Sequence, residues 1–380
     1  MATTKVRAEL VDLNATGADK GLKIPSGTNN NRPTAAAGQI RNNTNETSEG
    51  SASCEEYYNG TAWQKISVKP LVYADFLVVA GGGAGGSNAD SNNQSTGGGG
   101  GAGGLRTSYG STSGGGSSAE SNILLASGTY TITVGGAGTG STAGSTNGSD
   151  SSIAGPSLTT ITSIGGGRGG GYNNSLSTPQ PGNGGCGGGF MNHAVYDSNN
   201  GQGTTGQGYG AAPSGCGTNG SSGSGYAAGG GGAGSAGGND AAGSSPSICG
   251  WPGKGGNCLS VSITGSAVNY AAGGHSGFNT SNTGYYNRAA QCGIGGATNS
   301  GGADSNGQNA TAETGSGGSG YSNYNTTGAQ YTGGNGGSGV VIFRLPTAYY
   351  SGTTTGSPTV TTDGSDTILK FTGSGTYVHS

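Results

Sequence analysis

Glycine is crowded into the middle of this chain. Of its 90 glycines, six precede residue 81 and five follow residue 339, which leaves 79 in the 259 residues between, close to one in three. An average protein holds roughly 7%. The glycines gather in blocks, among them GGGAGG (81–86), GGGGGAGG (97–104), GGGRGGG (165–171), GGCGGG (184–189), GGGGAG (229–234) and GGNGGSG (333–339). Polar stretches of variable length and no common sequence separate them.

Few folds can use such text. Collagen needs glycine at every third position with abundant proline; the blocks lack that period and the chain has 11 prolines. Silk-like sheets want regular Gly-Ala or Gly-Ser repeats, which are absent. A flexible linker needs neither clustered glycine nor the large residues that flank the blocks, such as Phe190, Trp251 and Tyr270. The remaining architecture is a bundle of polyglycine II helices. With three residues per turn, a rise of about 3.1 Å and no internal hydrogen bonds, such a helix points its N–H and C=O groups outward at neighbours. Glycine allows the backbones to approach, with Ala, Ser, Arg168 or Cys186 at positions facing outward. Ordering each residue costs about 1–2 kcal/mol, whereas a hydrogen bond returns about 0.5–1.5 kcal/mol net. Hydrogen bonding alone is too weak, so strands and end-capping aromatics must add to it.

Those strands are visible. FLVVAGGG (76–83), ILLASGTYTITV (123–134), LTTITSI (158–164) and GVVIFRLP (339–346) are short β-branched runs, and we expect strands over 71–80, 122–134, 158–164 and 339–345. Val6–Leu13 alternates like a strand. Asn59-Gly60 is a hairpin turn signal between Glu56-Tyr57-Tyr58 and Thr61-Ala62-Trp63. In SPTVTTDGSDTILKF (357–371), Asp363-Gly364 marks a second turn and Thr367–Phe371 the returning strand. The expected fold is mostly β and irregular. A small N-terminal β module (1–70) precedes a glycine-rich body (71–345) of packed polyglycine II helices with supporting strands. A C-terminal β-hairpin segment (346–380) follows.

Charge excludes some functions. The net charge is −3, and residues 81–339 hold four basic residues, Arg106, Arg168, Lys254 and Arg288. That set cannot neutralise a run of phosphates, so no nucleic-acid partner is expected. The first residues show no apolar signal-peptide core, and the longest apolar run, Phe76–Ala80, is too short to span a membrane. The expectation is a soluble chain made in the cytoplasm, without membrane insertion. Six cysteines, 54, 186, 216, 249, 258 and 292, include no CxxC and no zinc spacing. Free thiols are the favoured reading, with a Cys249–Cys258 staple as the alternative.

Residues 21–66 resemble modules of bacteriophage tail-fibre and other virion-fibre proteins. The resemblance rests on Gly21-Leu22-Lys23-Ile24-Pro25-Ser26-Gly27-Thr28, Arg32-Pro33, Gly38-Gln39-Ile40-Arg41 and Tyr58-Asn59-Gly60-Thr61-Ala62-Trp63. Asn42 departs from the pattern, which has an aromatic there. The blocks with their flanking strands resemble a glycine-rich domain of phage fibres and adhesins. The resemblance implies a homotrimer attached to other fibre or tail proteins through its N-terminal module, located in the virion. It also implies a scaffold whose variable loops at one end contact a host-cell receptor.

Catalytic chemistry is not visible. His193, His275 and His379 sit in no motif, and the carboxylates are scattered. Asp304-Ser305-Asn306-Gly307 is half a calcium loop without its later Glu. GAGTGSTAG (136–144) lacks the GK[ST] of a phosphate loop. We therefore expect no enzyme, cofactor or metal. Surface recognition remains: the stretches between blocks are rich in Asn, Ser, Thr and Tyr, the composition that serves antibody loops. The candidate receptor-binding residues are Tyr196, Trp251, Tyr285, Tyr286, Tyr321 and Tyr324, although any single Tyr could instead pack at the end of a glycine helix. Trp63 is assigned to structure. The leading reading is a fibre-tip adhesin that binds a surface glycan or outer-membrane component. A structural or decorating virion protein and an ice-binding polyglycine II protein are the alternatives.

Overall fold

The computed structural model describes residues 70–88, 95–172, 180–191, 200–211, 227–238, 253–278, 289–297, 304–323 and 329–380, with 11–12, 21–22, 26–27, 34, 36–43 and 54–66. The chain divides into two compact units, Met1–Leu71 and Val72–Ser380.

In the first unit, β1 (Val11–Asp12) pairs with β2 (Gly21–Leu22). A second sheet orders β3 (Ser26–Gly27), β4 (Ile40–Asn43), β5 (Cys54–Tyr58) and β6 (Trp63–Lys65), with β3 parallel to β4 and the rest antiparallel. Of the expected Val6–Leu13 strand, only residues 11 and 12 are described. The Asn59-Gly60 turn forms, but as a four-residue loop, because Tyr58 pairs with Trp63. The Asn59 carboxamide explains the wider loop: its oxygen accepts the Thr61 and Ala62 N–H groups at 2.8 and 2.9 Å. Arg41 and Glu56 form a buried ion pair at 3.3 Å. The guanidinium also donates to the Gly27 carbonyl and lies 5.8 Å from the Trp63 ring centroid. Trp63 also packs against Tyr58, with ring centroids 5.6 Å apart. Asn42 reaches Ser26 Oγ at 3.2 Å.

The second unit carries β7 (Tyr73–Val79), β8 (Leu105–Thr107), β9 (Ile123–Leu124), β10 (Gly128–Thr133), β11 (Ser151–Gly155) and β12 (Leu158–Ser163). It continues with β13 (Leu259–Val261), β14 (Val268–Tyr270), β15 (Val340–Pro346), β16 (Thr354–Thr355), β17 (Thr359–Asp363), β18 (Asp366–Phe371) and β19 (Gly375–His379). No α-helix occurs among the described residues, so the fold is mostly β. One sheet has the order β17-β18-β15-β7-β8 with β9 also on β7; another has the order β12-β11-β10-β19-β16. The strands expected from sequence appear, with 122–134 divided between β9 and β10. The C-terminal hairpin turns at Gly364, whose φ is +60°, and its β18 pairs with β15.

The two sheets enclose a core of Val72, Phe76, Val78, Tyr130, Ile132, Ile153, Val341, Phe343, Leu369, Phe371 and Tyr377. The intervening residues Leu77, Val79, Val340 and Ile342 pack on the opposite face with Leu105, Ala102, Cys186 and Tyr270. Strands β7 and β15 are thus covered on both faces, which is why they read as unbroken apolar runs.

Beyond the sheets the chain changes geometry. Along residues 81–88 the backbone donors follow a three-residue cycle. Gly81 and Ala84 donate to Ser149 and Thr146; Gly82, Gly85 and Asn88 to Gly337, Gly334 and Tyr331; Gly83 and Gly86 to Gly101 and Gly98. The carbonyls follow the same cycle. Those of 81, 84 and 87 accept from 166, 169 and 172; that of 82 from 138; those of 83 and 86 from 318 and 321. Six segments therefore surround this run. Residues 97–104 repeat the pattern, donating to 315–321, 164–170 and 228–231 and accepting from 274–277, 80–86 and 186–189. Three residues per turn sends successive N–H groups in three directions, and the result is a lattice of polyglycine II helices.

Close approach explains the residue choice. A Cβ on Gly82 would lie 2.0 Å from the Ser316 carbonyl oxygen, and one on Gly100 would lie 2.2 Å from that of Gly83. One expectation is corrected: Ala84, Ala102 and Cys186 do not face outward but are wholly buried. Each occupies a point where the lattice leaves room for one small group; Ala102 and Cys186 do so beneath β7 and β8. Arg168 is half-buried, and its Nε donates to the Gln180 carbonyl at 3.1 Å.

At the perimeter, where no glycine helix remains to accept an N–H, side chains substitute. Asn147 accepts from Arg168 N at 2.9 Å, Asp150 from Gly165 N at 2.7 Å, and Asn183 from Gln202 N at 2.7 Å. Asn335 accepts from Gly140 N at 2.8 Å, Asn309 from Asn335 N at 2.8 Å, and Asn306 from Thr332 N at 2.9 Å. All six of these side chains are on exposed residues.

Candidate functional site

The lattice gives the second unit a direction. Residues 81–88 leave β7 and climb away from the sheets; residues 95–104 descend to β8, since Gly86 meets Gly98 and Ala80 meets Gly104. The same bookkeeping applies throughout. Residues 165–172, 186–191, 208–211, 236–238, 271–278, 294–297 and 315–323 climb. Residues 180–185, 200–204, 227–233, 253–258, 289–292, 304–311 and 329–339 descend. Eight segments within this unit lie outside the described residues: 89–94, 173–179, 192–199, 212–226, 239–252, 279–288, 298–303 and 324–328. Each follows a climbing run and precedes a descending one. The turns on the sheet side, such as 205–207, 233–235 and 311–314, are tight.

Below that end lies a layer of larger side chains. Tyr172, Phe190, Met191, Phe278 and Tyr321 are all buried. The Tyr321 hydroxyl is hydrogen-bonded to Ser95 Oγ, and its N–H donates to Gly86 at 3.3 Å. Burial pushes the Tyr321 phenol well above its usual range. Ser276 and His275 tie neighbouring runs together. Ser276 Oγ accepts from Gly253 N at 2.7 Å. His275 Nδ1 accepts from Gly255 N at 3.0 Å, while Nε2 lies 2.9 Å from the Ala289 carbonyl, to which it donates as the neutral Nε2–H tautomer.

Of the six candidate residues, Tyr196, Trp251, Tyr285, Tyr286 and Tyr324 lie outside the described residues. Tyr321 has no exposed surface, so it packs at the end of a glycine helix instead of contacting solvent. The same holds for Tyr172: it is buried, and its N–H donates to the Ser87 carbonyl at 3.0 Å.

The thiol reading is also corrected. Cys258 is disulfide-bonded to Cys292, 34 residues away, and not to Cys249. After β14 the chain climbs beside 253–258 along 271–278 and descends again along 289–292, which brings Cys292 beside Cys258; sequence distance hides it. Cys186 is free and buried, and desolvation pushes its thiol up to about 12. No group of three His, Cys, Asp or Glu side chains that could hold a metal occurs among the described residues. Asn306 of the half calcium loop gives its oxygen to Thr332 N–H. No helix is long and apolar enough to cross a membrane among the described residues.

Sequence reasoning missed the perimeter asparagines. A usable signal existed: Asn306 and Asn309 stand three residues apart, one polyglycine II turn.

Comparison with curated proteins gives no match, and comparison with solved structures gives none. Residues 58–346 match the family model of the glycine-rich domain, a span that runs from the end of β5 through the whole lattice to the end of β15, and the chain belongs to that family.

Proposed function

We propose that this chain is a tip adhesin of a bacteriophage fibre, displaying its recognition segments on a glycine lattice and binding a glycan or outer-membrane component of the host cell. The observation that supports this reading is the one-sided arrangement: all eight segments outside the described residues interrupt the lattice between a climbing and a descending run. A scaffold held by backbone hydrogen bonds to six neighbours draws its order from the runs themselves and can carry inserted segments of varied sequence. Those segments hold Tyr196, Trp251, Tyr285, Tyr286 and Tyr324. Tyrosine and tryptophan give rigid, amphipathic contact area at low entropic cost. Tyr321 has no part in the contact surface. In this reading the Met1–Leu71 unit attaches the chain to other fibre or tail proteins and forms a homotrimer.

The test is binding of the fluorescently labelled intact chain to a panel of bacterial strains that includes every strain infected by a virion carrying it. Saturable binding, competed by purified surface glycan or outer-membrane extract and lost on Tyr285→Ala/Tyr286→Ala, is expected. Absence of binding to every permissive strain overturns the reading in favour of a structural fibre protein.

A further inference from the structure

We infer that the flank of the lattice, beside β8, holds a second binding site that takes a single neutral sugar ring. A cavity of about 280 Å³ opens there between the β8 strand, the turn around Gly114–Gly116 and the turn at 205–207. At roughly 30 Å³ per water it has room for about nine waters, the scale of one ring and not of an oligosaccharide. Its wall includes Arg106, Ser117, Ser118, Glu120, Thr205 and Gln207.

The chemistry of the wall selects the ligand. Arg106 binds Glu120 through two hydrogen bonds, Nε to Oε1 at 2.8 Å and Nη2 to Oε2 at 2.6 Å, so its charge is met within the wall. Arg106 Nη1 donates to the Thr162 carbonyl at 3.3 Å. An anion gains little from a guanidinium already neutralised this way. The wall is made of polar groups on aliphatic stems, which suits a ligand that carries both hydroxyls and C–H faces. Gln207 is held in the wall, accepting from Ile164 N at 2.8 Å and donating to the Thr162 carbonyl at 3.2 Å, with one N–H and one lone pair left over.

What faces the space is a mixed set of donors and acceptors. The hydroxyls of Ser117, Ser118 and Thr205 make no hydrogen bond to other described residues. The Glu120 carboxylate keeps lone pairs beyond the two that Arg106 uses. Hydroxyl groups of a sugar both donate and accept, and neighbouring ones can straddle a carboxylate oxygen and a serine. The site is also built in advance: Gly115, Gly116 and Gly206 hold φ values of +67°, +75° and +78° in its two turns, conformations that larger residues rarely adopt. Gly115 N–H is anchored to the Ala233 carbonyl at 3.0 Å.

This site is separate from the adhesin end and stands or falls apart from it. The test is a ¹H–¹⁵N titration of the intact chain with D-glucose, D-galactose, D-mannose and N-acetyl-D-glucosamine. Each sugar is carried to ~50 mM, since a ligand this small binds at about the millimolar level. At least one sugar should move the Ser117 and Gly206 amides saturably. Ser117→Leu, which fills the cavity from a half-buried position, should abolish the shifts while leaving the melting temperature unchanged. Glu120→Gln should weaken them at least ~10-fold, a loss of about 1.4 kcal/mol. Failure of all four sugars to shift these amides overturns the proposal, and so does binding that survives Ser117→Leu. Shifts confined to the far end of the lattice would support the adhesin reading and refute this one.

Discussion

The sandwich and the glycine lattice belong to one compact unit, yet they are held together by opposite means. In the sandwich, side chains such as Phe343, Tyr130 and Tyr377 fill the space between two sheets, with ring centroids 6.2–6.4 Å apart. In the lattice the backbone is itself the filling, and each helix is surrounded by up to six others. A side-chain core tolerates exchange of one apolar group for another of similar size. A backbone core has no such latitude, because its contacts are carbonyl oxygens fixed by hydrogen bonds.

The sharpest way to break the comparison is to substitute both cores. Gly100→Val places a branched side chain where even a Cβ meets the Gly83 oxygen at 2.2 Å and Ala84 at 2.8 Å. We expect loss of more than ~5 kcal/mol, read as failure to recover folded protein or loss of cooperative melting. Phe343→Ala in the sandwich should cost about 3–5 kcal/mol, measured by denaturant unfolding. If Gly100→Val melts like the parent, the lattice is not a packed core.

Next in size is the Cys258–Cys292 bond. Cys258→Ser/Cys292→Ser should destabilise by about 2–4 kcal/mol, and reductant should lower the parent's melting temperature to match. Alkali probes the buried groups by a different route. Burial raises the Cys186 thiol and the Tyr270 phenol to about 12 each; for Tyr270 the Glu313 charge adds to burial. A thiol raised above its unfolded value near 8.5 keeps its proton when the unfolded chain has lost it. Its contribution is complete below pH ~8.5 and declines by about 1.4 kcal/mol per unit toward pH ~12. Stability measured between pH 8 and 11 should fall, and Cys186→Ala should flatten that fall. The smallest effect belongs to the perimeter. Asn335→Ala and Asn147→Ala each release one backbone N–H to water, at a cost of about 0.5–1.5 kcal/mol, with Asn→Asp retaining most of the stability.

Sequence carried the sandwich further than the lattice. The strands at 73–79, 158–163 and 340–346 are apolar or β-branched runs and could be read directly. Ser151–Gly155 is SSIAG, with one branched residue, and became a strand because β10 and β12 flank it. The glycine blocks announce a lattice, but one GGG is chemically the same as another. Nothing in Gly83 says that its partner is Gly101 and not Gly167. Tyr321 shows the limit for the candidate site. Its neighbours Ser322, Asn323 and Tyr324 have the polar text of a loop, while the hydrogen bonds of 315–322 continue the three-residue cycle through it.

The rotation of donors along each run gives the lattice something like a reading frame. Removing one residue from 81–88 would turn each later N–H by a third of a revolution and aim it at the wrong neighbour. Removing three would shorten the helix and keep every partner's direction. Within a run, change in length is therefore counted in threes.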